Sequence, residues 1–178
     1  DPLKALSIKQ SILSDPAATN NLKVVQHQAL AIDHALVFLD ASKARKNLQE
    51  MEAINRARRS GLRQEFVDLM ESTTAGARGA VLLAEGQFGE AIKAYEQYLK
   101  GYGMYLQQIP VLEQTLRVDT VEAVKGYIYT GRTYLVETLL QSGDVDRAER
   151  EARALLKEQL QEISVYAPQT ARTLVLYS

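Results

Sequence analysis

One short segment near the C-terminal end constrains the fold of this chain more than any other. It runs Gly143-Asp144-Val145-Asp146-Arg147-Ala148-Glu149, and Leu155 and Leu156 follow it. A glycine permits the left-handed backbone that ends many helices, and Asp144 or its neighbour can begin the next one. We therefore predict a helix, a tight turn and a second helix that packs through the small Ala148. A further helix is predicted to begin near Pro168.

Apolar spacing predicts helices along the rest of the chain. Strand-like alternation is nearly absent, and prolines occur only at 2, 16, 110 and 168, where all but the first coincide with a lapse in helical periodicity. Apolar stripes predict a first helix that stops before Asp15 and a second that is capped by Asn20 or Asn21 and runs to about Leu39. Whether the stripe at 48–54 continues that helix or follows a break is left open.

Glycine and proline divide the middle of the chain into further helices. Gly61 is predicted as a helix C-cap, with a new helix opening at Leu62; whether residues 72–76 interrupt this helix is left open. A turn is predicted at 85–88, then a helix that runs to about Gln108 and is stopped by Pro110. The next helix is predicted to start at Asp119-Thr120. Together these elements predict an all-α fold.

The C-terminal segment resembles a tetratricopeptide repeat (TPR), in the longer form found in kinesin light chains and many bacterial signalling proteins. The positions that carry the resemblance are Gly143, Asp144, Val145, Ala148, Glu149, Leu155, Leu156, Pro168, Gln169, Thr170, Ala171 and Leu174. They span about one repeat. A similar earlier unit comprises Gly79, Leu82, Gly86, Phe88, Ala91, Ile92, Tyr95 and Leu99. The two turn glycines lie further apart than one period of roughly 34 to 42 residues, so an extended or inserted hairpin is expected between them.

The resemblance implies antiparallel helical hairpins stacked as a right-handed α-solenoid. Residues 1–60 lack the repeat signature and are expected to be N-terminal helices that form a cap or degenerate repeats. Residues 61–178 are expected to be the TPR-like region, cut short at its C-terminal end. The implied function is a non-catalytic scaffold or regulatory domain that binds a protein or peptide, within a longer signalling protein.

Charge and composition narrow the classes of function. The 21 basic and 22 acidic residues give a net charge of −1, which argues against a nucleic-acid partner. The chain has no cysteine, so thiolate catalysis and most structural zinc sites are excluded. No long apolar run predicts membrane insertion. A soluble protein of the cytoplasm or the periplasm is expected, and the sequence does not distinguish these compartments.

The candidate partner-binding residues are mainly tyrosines. Tyr95, Tyr98, Tyr102 and Tyr105 recur at steps of three and four residues, which places them along one helix face. Two interpretations stay open: the rings pack between hairpins, or they line a groove that holds a peptide. For the groove we predict contacts from the set Tyr95, Tyr98, Tyr102, Arg132 and Tyr134.

Other candidate sites are weaker. His27 and His34 lie seven residues apart without further ligands, so neither a metal site nor a cofactor site is predicted. No nucleophile stands beside a base and no phosphate-binding loop is present, so no enzymatic activity is predicted. The basic run from Lys43 to Arg63 is interpreted as a solvated helix end or as the docking site of an acidic partner.

Two alternatives to the scaffold remain open. In the first, the tyrosines close over a pocket and the chain is a helical domain that senses a small molecule. In the second, the repeats self-assemble through an apolar edge at Thr173 to Tyr177, which would make the chain a homo-oligomer.

Overall fold

The protein is entirely helical in the part that the computed structural model describes, residues 1–112 and 119–161. No β-strand occurs within these ranges. The helices are α1 (Pro2–Ser14), α2 (Asn20–Leu36), α3 (Ala41–Arg58), α4 (Gln64–Ala84), α5 (Phe88–Leu112), α6 (Asp119–Ser142) and α7 (Val145–Gln161), with a short 3-10 turn at Arg59–Gly61. The all-α prediction is thereby confirmed.

The chain divides into two compact units, Asp1–Gln87 and Phe88–Ser178. The first therefore includes α4 as well as the helices of residues 1–60. Ala77, Ala80 and Val81 of α4 are completely buried in one cluster with residues of α2 and α3. The sequence predicts a division at residue 60 because residues 1–60 lack the repeat signature. Whether TPR-like repeats begin after residue 60 stays a prediction.

In the first unit, α2, α3 and α4 pack against one another, and α1 packs on α2. The core uses small side chains where helices approach closely. Its buried cluster consists of Val24, Ala31, Ala35, Ala44, Leu48, Met51, Ala77, Ala80 and Val81. α1 contributes no buried residue and is joined to α2 by an ion pair between Lys9 Nζ and Asp33 Oδ2 at 2.5 Å.

Three arginine–glutamate pairs join α3 and α4, or the cap residue that directly follows each helix, in antiparallel register. They are Arg45 with Glu85, Glu52 with Arg78 at 2.6 Å, and Arg59 with Glu71 at 2.7 Å. Successive members lie seven residues apart on both segments, which corresponds to about two helical turns. The sign of the charge alternates along each segment. We call these three pairs the charge ladder.

The break between α2 and α3 is a tight loop that resolves the boundary left open by the sequence. The N–H groups of Val37 and Phe38 both donate to the carbonyl of Asp33 and end α2. Leu39 adopts a φ of 53°, a left-handed conformation that is uncommon for a non-glycine residue. Asp40 then caps α3 by accepting a hydrogen bond from the N–H of Lys43. The stripe at 48–54 thus belongs to a separate helix.

In the second unit, α6 packs against both α5 and α7. The core cluster consists of Tyr95, Leu135, Val136, Leu139, Ala148 and Ala152. Gly143 ends α6 with a φ of 85°, and Asp144 caps α7 by accepting from the N–H of Arg147. The turn predicted from this segment is confirmed, as is the buried Ala148.

Most other predicted helix boundaries agree with the structure within a few residues. The predicted cap of α2 at Asn20 or Asn21 is wrong, because the Thr19 side chain caps this helix by accepting from the N–H of Leu22. α1 ends before Asp15, α6 starts at Asp119, and Gly86 forms the left-handed turn after α4 with a φ of 71°. The stretch 72–76 lies inside α4. The predicted stop at Pro110 is wrong, because α5 continues to Leu112. A proline near a helix end removes only one backbone hydrogen bond from that end, so the helix can extend past it.

Two predicted features, the helix near Pro168 and the apolar edge at Thr173 to Tyr177, lie outside the described residues. Among the described helices, none combines the length and apolar character that a membrane crossing requires.

Candidate functional site

Three of the four tyrosines of α5 are buried, and Tyr105 is partly buried. The exposed fraction is 1% for Tyr95, 7% for Tyr98 and 6% for Tyr102. Their rings form contacts with tyrosines of α6: centroids are 5.9 Å apart for Tyr95 and Tyr134, and 5.4 Å apart for Tyr102 and Tyr127. The burial supports the packing interpretation of this face.

Tyr98 packs against Gly131 of α6, where the two helices approach each other closely. Its hydroxyl donates a hydrogen bond to the carbonyl oxygen of Tyr127 at 2.9 Å, and its ring is 4.7 Å from that of Tyr102. The ring lies directly over Gly131, where a Cβ would stand only 2.4 Å from Tyr98 Cε1. Burial raises the pKa of the Tyr98 phenol well above its ordinary value. Tyr98 therefore remains protonated at neutral pH.

Arg132, the charged member of the predicted set, faces α7. Its Nη1 lies 2.6 Å from Glu158 Oε2, and its Nη2 lies 3.7 Å from Glu151 Oε2. The structure thus brings all five predicted residues to the packed surfaces of α6. Whether a partner contacts them stays a prediction, because no feature of the described residues tests it.

The two histidines of α2 have different environments. His27 Nδ1 lies 3.0 Å from Asn47 Oδ1 of α3. His34 is buried, its ring centroid lies 5.6 Å from that of Phe38, and its Nδ1 has no hydrogen-bond partner among the described residues. Burial is the main reason why the pKa of His34 lies below its ordinary value. No group of three potential metal ligands occurs in the described ranges.

Five of the seven basic residues from Lys43 to Arg63 fall into two groups. Lys43, Arg45 and Arg59 each pair with a carboxylate, so they are part of the helix framework. Arg58 and Arg63 instead meet neutral groups. Arg58 Nη2 donates to Asn21 Oδ1, and the Arg63 guanidinium lies 4.9 Å from the centroid of the Phe66 ring. Within the described chain, these two cations have no carboxylate as a partner.

Arg58 also lines a groove in the first unit, which the sequence pattern does not predict. The groove has a volume of about 440 Å³ and lies among α2, α3 and α4. Its apolar lining includes Val24, Val25, Met51, Phe66, Leu69 and Met70. Val24 and Met51 are buried, whereas Val25 is 53% exposed and Phe66 is 45% exposed. We call this feature the α2–α4 groove.

The polar part of the lining contains an unsatisfied acceptor. Asn55 is 5% exposed, and its Nδ2 donates to Thr74 Oγ1 at 3.0 Å. Thr74 Oγ1 in turn donates to the carbonyl of Met70. The Asn55 Oδ1 atom is buried and accepts no hydrogen bond from the described residues. Buried acceptors are rarely left unpaired, because the loss of water is then not compensated.

Comparison with known proteins gives no assignment for this chain: no family model, no curated protein and no solved structure matches it. The candidate site therefore rests on the geometry of the two units alone. The α2–α4 groove is the described feature that best fits ligand binding, since its volume falls within the range of about 300–1,000 Å³ that is typical of binding sites.

Proposed function

We propose that this chain is a non-catalytic scaffold that binds a protein or peptide partner through TPR-like helical hairpins, as a regulatory part of a longer signalling protein. The short turn at Gly143, the packing of α6 on α7 and the buried alanines of α7 support the hairpin assignment. They are among the features on which the resemblance to the TPR rests.

The α2–α4 groove is the observation that carries the binding function. Large apolar side chains are partly exposed on its walls, and the polar side chains of Asn21 and Gln28 stand among its lining residues. Exposed apolar surface bordered by polar residues is typical of interaction sites. A partner that covered Val25 and Phe66 would remove this surface from water.

A display selection tests the proposal. The chain is immobilised and challenged with a library of random 12-residue peptides. We expect enriched peptides whose binding is lost in Phe66→Ala but retained in Val37→Ala, since Val37 is exposed in the same unit but does not line the groove. Circular dichroism verifies that both variants keep their helicity. Failure to enrich any peptide with a folded chain would overturn the proposal.

A small-molecule sensor is the second candidate. It is favoured by the volume of the groove, which would hold a compact ligand as well as a few side chains of a peptide. Self-assembly remains a prediction that no described feature favours, because the apolar edge proposed for it lies outside the described residues.

A further inference from the structure

We propose that the α2–α4 groove takes a peptide segment in which apolar side chains stand beside a carboxylate. The carboxylate meets Arg58. This inference rests on the proposed peptide-binding function and specifies the chemistry of the partner. It also places the site in the first unit, where seven lining residues come from residues 1–60 and five come from the start of the predicted TPR-like region.

The floor and walls of the groove determine the apolar part of the ligand. Val24 and Met51 provide a buried apolar floor, while the exposed faces of Val25 and Phe66 form walls. Apolar side chains inserted between these walls would gain free energy roughly in proportion to the area they bury. The flexible side chain of Met70 can adjust to their shape.

The charged residues at the groove determine which sign of charge on a ligand is favoured. None of its twelve lining residues in the described chain carries a carboxylate, and Arg58 is their only cation. Arg58 is bonded to a neutral amide, so most of the five N–H donors of its guanidinium are left for an anion. Arg63, stacked on Phe66, adds a second positive charge beside the groove wall. An acidic partner is electrostatically complementary to the side of the groove that carries Arg58 and Arg63.

The polar part of the lining distinguishes a peptide from an acyl chain. A fatty acid could supply the apolar body and the carboxylate, but its chain has no hydrogen-bonding group for the side-chain amides of Asn21 and Gln28, which also line the groove. A peptide supplies backbone N–H and C=O groups along its whole length.

Three charge-matched peptide libraries test the inference. All have the same apolar residues at fixed positions, and the remaining positions are restricted to Asp/Glu/Ser, to Asn/Gln/Ser or to Lys/Arg/Ser. We expect enrichment from the acidic library. Arg58→Gln should then lower the affinity for the selected acidic peptide by about 10-fold, which corresponds to the loss of one charge-assisted hydrogen bond. Arg56→Gln is the matched control, because it removes the same charge from α3 at a residue that does not line the groove.

The three methionines supply an independent readout on the unsubstituted chain. Met51 and Met70 line the groove, whereas Met104 lies in α5 of the second unit. With ¹³C-methyl-methionine labelling, the selected acidic peptide should shift the methyl signals of Met51 and Met70 and leave that of Met104 in place. This experiment does not depend on the folding of any variant.

The outcomes distinguish a failure of this inference from a failure of the proposed peptide binding. If neutral or basic peptides are enriched as strongly as acidic ones, or if Arg58→Gln and Arg56→Gln behave alike, the inference fails and peptide binding stands. If only the methyl signal of Met104 shifts, a peptide binds but not in the α2–α4 groove, and the inference is contradicted. If none of the three libraries is enriched and none of the three methyl signals moves, peptide binding itself is contradicted.

Discussion

The aromatic ring of Tyr98 lies against the bare backbone of Gly131. A Cβ at position 131 would stand 2.4 Å from Tyr98 Cε1 and 2.6 Å from Cδ1, both far inside van der Waals contact. The close packing of α5 on α6 therefore requires a residue without a side chain at this position. The same approach brings the Tyr98 hydroxyl to the carbonyl of Tyr127.

We predict that Gly131→Ala destabilises the second unit by about 1–3 kcal/mol, the usual cost of overpacking a core. Urea unfolding followed by circular dichroism measures this loss. The matched control is Gly103→Ala on α5, where a Cβ would meet no atom within 4 Å. Alanine there should stabilise the helix by roughly 0.5–1 kcal/mol. Equal effects of the two substitutions would contradict the assigned packing.

Alkaline pH should destabilise the protein through Tyr98. Burial holds the pKa of Tyr98 above its ordinary value of about 10, so the folded chain retains a proton that the unfolded chain releases. The stabilisation is present below pH 10 and is lost as the pH rises above it. Urea unfolding between pH 9 and 11 should show a shallower decline for Tyr98→Phe. An unchanged slope would show that Tyr98 is not the residue responsible.

The local elements of this fold could be predicted from sequence, because each depends on residues close together in the chain. Gly143 and Asp144 specify the turn before α7, and the proline at 16 specifies the end of α1. The α2–α4 groove could not be predicted in this way. Val25 and Phe66 become its walls only when α2 and α4 pack together, and helical periodicity does not show which exposed apolar residues of two helices become neighbours.

The spacing of the tyrosines on α5 gives a second example of what cannot be predicted from sequence. Its spacing established that the rings share a face of α5, yet an open groove and a packed seam give the same periodicity. What decides between them is Gly131, a small residue more than thirty positions from Tyr98 that lets α6 approach. The spacing of residues within one helix does not show how closely a neighbouring helix packs against it.

Mild acid should destabilise the first unit through His34. Its pKa is lowered chiefly by burial and further by Lys43, while Asp40 and Asp33 act in the opposite direction. The unfolded chain therefore takes up a proton at about pH 6.5 that the folded chain resists, and stability falls as the pH drops below that value. The urea midpoint should decrease between pH 7.5 and 5.5, and decrease less in His34→Gln. Identical decreases would exclude His34 as the cause.

The charge ladder can be tested by reversing its central pair. Glu52→Arg places like charges opposite each other at Arg78 and should lower the free energy of unfolding by about 1 kcal/mol or less, as expected for a partly exposed pair. Adding Arg78→Glu restores the attraction and should recover most of the loss. Urea unfolding at low salt measures both variants. A double variant no more stable than the single one would show that the pair contributes nothing.

Site-specific photo-crosslinking tests most directly where this chain holds a partner. Benzoylphenylalanine is placed at Val25, on the wall of the α2–α4 groove, or at Tyr127, which is exposed beside the tyrosine cluster. Each chain is irradiated with the peptide selected from the random library. We predict a crosslink from position 25 and none from position 127. A crosslink from position 127 alone would contradict this prediction and would instead support binding at the predicted set of Tyr95, Tyr98, Tyr102, Arg132 and Tyr134.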